Sequence, residues 1–146
     1  MYPDGIDCMW IAVDQVGMLG AFMSAGGGDI PTNAIQSTII LLEELEEKIL
    51  QFPISSLVDL KIHLPRSDDF IALSERGFFV YDWSDVHHSK YSNGYELISV
   101  PRTPTYLKQL PKNYLIYLQA LHLKKSSFQD SNFINITLEF DEVSHI

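Results

Sequence analysis

Apolar residues at Ile35, Ile39, Leu42, Leu45, Ile49 and Phe52 recur at spacings of 4, 3, 3, 4 and 3, the period of an α-helix. Thr32 precedes the stripe as an N-cap residue, its hydroxyl suited to accept from a free first-turn amide, and Pro53 closes the run. The pattern predicts one main amphipathic helix over about 33–52. Upstream, Met9–Asp14 and Met18–Ser24 are short apolar runs separated by Gln15-Val16-Gly17, the pattern of a β-hairpin. Gly26-Gly27-Gly28 then interrupts regular structure.

Beyond Pro53 the period changes. Val58-Asp59-Leu60-Lys61-Ile62-His63-Leu64 alternates apolar and polar residues, as a half-buried strand does. Ser67-Asp68-Asp69 reads as a helix start and Arg76-Gly77 as its stop, giving a short helix over 68–76. Phe78–Trp83 and Tyr95–Val100 read as strands around a polar loop carrying Asn93-Gly94. Pro111, followed by Leu115, Leu118 and Leu121, predicts another short helix, and 121–128 and 132–140 read as closing strands. The expected fold is therefore α+β: a mostly antiparallel sheet with the 33–52 helix and one or two short helices packed on it. With 146 residues, no repeat and no linker, the chain is expected to form a single domain over 1–146.

Charge adds what the apolar pattern does not show. The formal net charge is −9. Residues 1–47 hold eight acids and no Lys or Arg, among them Asp29, Glu43, Glu44, Glu46 and Glu47. All ten basic residues lie in 48–138, beside eight acids, and the tail adds Glu139, Asp141 and Glu142. A field of this sign repels nucleic-acid backbones and anionic membranes and attracts a basic protein. It also keeps a protein in solution, whatever its partners. The N-terminus has no basic residue before its apolar run, and the run over 9–25 is broken by Asp14 and Gln15, so neither a signal peptide nor a membrane helix is expected. The expectation is a cytoplasmic protein that binds neither nucleic acid nor membrane, with its oligomeric state left open.

Candidate chemistry is sparse. The Gly26–Gly28 loop sits where phosphate cradles occur, but it lacks the Lys and Ser/Thr of a P-loop, and Asp29 puts a negative charge where a phosphate would lie. Asp82, Asp85, His87 and His88 are metal-ligand types, yet adjacent histidines on an extended chain point to opposite sides. Cys8 carries no nucleophile signature and adjoins an apolar strand. The tyrosines are not interleaved with a basic patch. Trp10 and Trp83 suit core anchors or, if exposed, an interface. No catalytic residue, metal ligand or cofactor is assigned.

Two stretches carry a resemblance. One is Met9-Trp10-Ile11-Ala12-Val13-Asp14, continuing through Gly20-Ala21-Phe22 to Gly26-Gly27-Gly28-Asp29-Ile30-Pro31; the other is Arg76-Gly77-Phe78-Phe79-Val80-Tyr81-Asp82-Trp83. Together they cover about a third of the chain and resemble a family of small bacterial proteins, some of which look like immunity proteins encoded beside polymorphic toxins. The resemblance carries no catalytic residue. It implies a binding protein that neutralises a basic partner such as a toxin; the uneven charge, not the resemblance, marks Asp29, Glu43, Glu44, Glu46 and Glu47 as the candidate contact residues. The alternative is an enzyme or small-molecule-binding module with a pocket near the Gly26–Gly28 loop.

Overall fold

The computed structural model describes residues 5–84 and 93–145. The N-terminal hairpin forms as its pattern predicts. Strands β1 (Met9–Val13) and β2 (Leu19–Met23) pair antiparallel, with Trp10 opposite Phe22. After them come β3 (Ile30–Pro31), α1 (Thr32–Gln36), α2 (Leu42–Ile49), β4 (Val58–Leu60), α3 (Asp68–Ser74), β5 (Phe79–Trp83), β6 (Tyr95–Pro101), α4 (Lys112–Tyr117), β7 (Phe133–Ile134) and β8 (Val143–Ser144). The main sheet has the order β1-β2-β5-β6-β4, with β7 also on β6. Its pairs are antiparallel except β2 with β5, which run parallel. β3 and β8 form a separate antiparallel pair. The fold is α+β with a mostly antiparallel sheet, as the periodicities predict.

Register explains the core. Pairing sets Trp10 beside Phe22 and Phe22 beside Tyr81, so three aromatic rings from neighbouring strands share one face. Trp10 stacks on Phe22 at 4.2 Å between centroids, and Phe22 on Tyr81 at 5.2 Å. Phe128 joins this face from the C-terminal segment. It can do so because Gly20 has no side chain: a Cβ there would lie 2.4 Å from the Phe128 ring. Tyr95 ties the cluster together, accepting from Trp10 Nε1 at 3.2 Å and donating to the Asp29 carbonyl at 2.7 Å. Ile11, Ala21 and Val80 alternate onto the opposite face. There, α3 is held to β6 by the Ser74–Ser99 hydroxyl pair at 2.7 Å. Both tryptophans are buried, as core anchors should be, and Cys8 is a buried free thiol.

Three expectations are corrected. First, the single helix over 33–52 is two helices. The chain turns extended at Ser37, and the Ser37 hydroxyl accepts from the Ile39 amide at 3.2 Å. Ser37-Thr38-Ile39-Ile40 joins a backbone-competing hydroxyl to three β-branched residues, so a helix gains little there. The break buries Ile40 and exposes Ile39, while Leu42, Leu45 and Ile49 remain buried on α2. Thr32 is not the cap. Pro31 holds that position, and the Thr32 amide donates to the Glu142 carbonyl at 3.0 Å.

Second, the strand expected over 58–64 is confined to β4. Third, the closing strands over 121–128 and 132–140 are largely irregular. Some of their amides find side-chain acceptors and others the carbonyls of short local turns, instead of a ladder. The buried Glu139 carboxylate accepts from the Lys125 and Ser126 amides, and Asn135 accepts from Thr137. Of these two segments, β7 joins the sheet as a strand, and His122 makes an isolated parallel bridge to Val13 of β1. The short helix expected over 68–76 is α3, ending at Gly77 in the left-handed conformation (φ +93°). Its Ser67 side chain makes no capping bond. The helix expected after Pro111 is α4.

Candidate functional site

Helix α2 presents its apolar positions inward and its carboxylates outward. Glu43, Glu44 and Glu47 are exposed and Glu46 is half-buried. Two acids from outside the helix act on Glu46. Partial burial, then Asp69 at the start of α3, then Asp7 ahead of β1, raise its carboxyl above the ordinary value. Asp7 is itself positioned by the Gly-rich loop, its Oδ1 accepting from the Ala25 amide at 2.8 Å. One acidic face is thus assembled from three separate stretches of chain. The only opposing charge on the helix is Lys48, 3.9 Å from Glu44, and both side chains are about half exposed. Such a pair contributes little and neutralises one carboxylate at most.

Asp29 is placed differently. It is buried, and its Oδ1 lies 2.8 Å from Nδ1 of His145, just beyond β8. That contact fastens the C-terminal segment to the N-terminal third, alongside the β3–β8 pairing. The structure therefore places Asp7 and Asp69 within electrostatic reach of Glu46, and commits Asp29 to an internal contact. Sequence reading missed Asp7 and Asp69 because neither is near the four glutamates along the chain. Asp69 reads correctly as a helix-start residue, and only packing shows its second role.

The Gly26–Gly28 loop does not offer its amides to a ligand. Ala25 donates to Asp7, Gly26 to the Ser24 hydroxyl at 3.4 Å, and Gly27 and Gly28 to the Ser24 carbonyl at 3.2 and 2.8 Å. Gly28 is also closed in by Tyr95 and Trp83, which would meet any side chain placed there. Asp85, His87 and His88 lie outside the described residues. Among the described residues no group of three or more His, Cys, Asp or Glu could hold a metal ion, and no helix is long and apolar enough to cross a membrane. Compared with models of protein families, with curated proteins and with solved structures, the chain gives no match.

The state of Glu46 has a measurable consequence. A carboxyl whose value is higher in the folded chain favours folding when protonated and opposes it when ionised. Its unfavourable contribution is absent below the ordinary value of 4.5 and grows as pH rises through the folded-state value. Glu46→Gln is therefore expected to melt above the native protein at pH 8, with the difference closing below pH 4.5. Glu43→Gln, at an exposed position on the same helix, serves as the control. A Glu46→Gln increment that stays constant across this range would show that burial and the two aspartates do not raise the Glu46 carboxyl.

Proposed function

We propose that the protein is a cytoplasmic binding protein whose acidic face receives a basic protein partner, in the manner of an immunity protein neutralising a toxin. The observation that carries this reading is the convergence of Asp7 and Asp69 on Glu46, beside the exposed Glu43, Glu44 and Glu47. Gathering like charges from three stretches of chain works against the fold, since repulsion and partial burial both disfavour ionised Glu46. Solubility asks only for net charge, not for its concentration at one place. A cationic partner would relieve the repulsion and gain association rate from the field. Exposed Ile6, next to Asp7, and exposed Leu41, next to α2, supply apolar contact at the margins of the charge. The same field disfavours nucleic acid and anionic lipid as partners.

The test is recovery of a partner from the source cell at low and high salt, followed by binding kinetics with the recovered protein. The chain carrying Glu43→Gln, Glu44→Gln, Glu46→Gln and Glu47→Gln is compared with the native one. The expected partner is basic, and its association rate falls steeply with salt for the native chain. The variant should lose about tenfold or more in on-rate at low salt, and most of the salt dependence. Recovery of the same partners with unchanged salt dependence would remove the acidic face from the interface.

A further inference from the structure

At the far end of the β1–β2 hairpin from the Gly-rich loop lies a concavity of about 500 Å³. This volume is within the range of small-molecule sites. Its lining is mixed: Val16, Tyr106, Leu107 and Leu115 supply the apolar part, beside the polar Gln15, and Val16 is 61% exposed. Its ionic groups are Lys108 and His122. Asp14 also borders the space, but its carboxylate is already engaged. Oδ1 accepts from the Val16 and Met18 amides and Oδ2 from the Phe128 amide, and the residue is 1% exposed. Lys108 has no carboxylate within ion-pair reach among the described residues. His122 faces outward, because its neighbours Leu121 and Leu123 are buried while the chain pairs with Val13.

The walls are tied in place from several directions. The Leu107 amide donates to the Gly17 carbonyl at 2.8 Å, Val13 exchanges backbone bonds with Leu121 and Leu123, and the Gln15 side-chain Nε2 donates to the Lys124 carbonyl at 2.6 Å. A cavity held this way is formed before any ligand arrives, which lowers the cost of binding.

We propose that this cavity is a binding site for a small amphipathic organic monoanion, its apolar body against Val16, Leu107 and Leu115 and its carboxylate or sulfonate between Lys108 and His122. The imidazole supplies an N–H donor in either protonation state, and the ammonium supplies charge. One lysine at a partly apolar cavity, in a chain of net charge −9, favours a single negative charge over a polyanion.

The probe is naphthalene-2-sulfonate, titrated into the full chain by heteronuclear NMR, with neutral 2-naphthol as its uncharged counterpart. Saturable shifts are expected at the Gly17, Leu107, Leu115 and His122 amides, with about tenfold preference for the sulfonate over the naphthol. Lys108→Glu, at an exposed position, should weaken sulfonate binding about tenfold and leave naphthol binding unchanged. Leu115→Trp, filling the cavity, should abolish both, provided that the variant keeps its native amide spectrum. Equal affinity for sulfonate and naphthol, shifts spread over the surface without saturation, or a Lys108→Glu variant that binds the sulfonate as the native chain does would each overturn the proposal.

Discussion

Leu42→Asp is expected to abolish the cooperative thermal transition, whereas Ile39→Asp, three residues earlier, should leave it within about 0.5 kcal/mol of the native protein. Leu42 is 5% exposed on α2, beside the fully buried Leu45 and Ile49. Truncating such a leucine costs about 2–5 kcal/mol, and an aspartate adds the desolvation of an unpaired carboxylate. Against a total stability of about 5–15 kcal/mol for a domain, the sum leaves little folded protein. Ile39 is 50% exposed in the connection between the helices, so a charge there stays in water. Far-ultraviolet circular dichroism melts of the two variants decide the matter. In one continuous helix over 33–52, both positions would lie on a single buried stripe and both substitutions would be severe. Equal damage from the two would therefore refute the break at Ser37.

Asp14→Ala is expected to cost about 3–5 kcal/mol, because the Met18 and Phe128 amides lose their acceptor inside the protein and each orphaned buried donor costs about 1–3 kcal/mol. The Val16 amide loses the same acceptor at a part-buried position, which adds less. Asp14→Asn separates the two sides of the carboxylate. The side-chain oxygen can still accept from Val16 and Met18, as Oδ1 does now at 3.1 and 2.9 Å. The amide nitrogen then meets the Phe128 N–H, which Oδ2 now accepts at 3.0 Å, and two donors face each other. Asparagine should thus cost about 2 kcal/mol, less than alanine. Hydrogen exchange locates the loss: the Phe128 amide should lose protection while Met18 keeps it. Equal protection at both amides in the asparagine variant would show that Asp14 does not link the hairpin turn to the C-terminal segment. Denaturant unfolding of the three chains gives the ranking.

Both variant series probe the support of the fold, at two different places. Leu42 anchors the helix that displays the acidic face, and Asp14 frames the cavity at the opposite end of the hairpin.

Local preference made several elements readable from the residues alone. The hairpin is legible because apolar runs of five or six residues flank a short turn. α3 is legible at its stop, where Arg76-Gly77 supplies the one residue type at ease in the left-handed conformation. The glutamates of α2 are legible as an outward face because they fall between positions that must be buried. The helix break was also present in the sequence, in the run Ser37-Thr38-Ile39-Ile40. It was outweighed by an apolar spacing that continued through it, since periodicity reports where side chains could align and not whether the backbone between them is helical. Burial of Ile40 against the rest of the core decides that question.

What the sequence by itself determined is the inventory: an α+β pattern, an acidic N-terminal third without a single Lys or Arg, and apolar strands around Trp10, Phe22 and Tyr81. These follow from rules that act over a few residues, such as side-chain alternation, capping and turn conformation. Tertiary structure alone decided the rest. It paired β2 with β5 in parallel, across the 55 residues of sequence between Met23 and Phe79, and let the Phe128 ring close over Gly20. It gave the C-terminal amides to Asp14 and Glu139 in place of a β-ladder. It moved Asp29 into a contact with His145 and brought Asp7 and Asp69 to Glu46. Each of these joins groups far apart in the chain, and a carboxylate carries the same charge and the same two acceptor oxygens wherever it stands. Only the packing of the whole core settles whether it meets an amide, a histidine, another carboxylate or water.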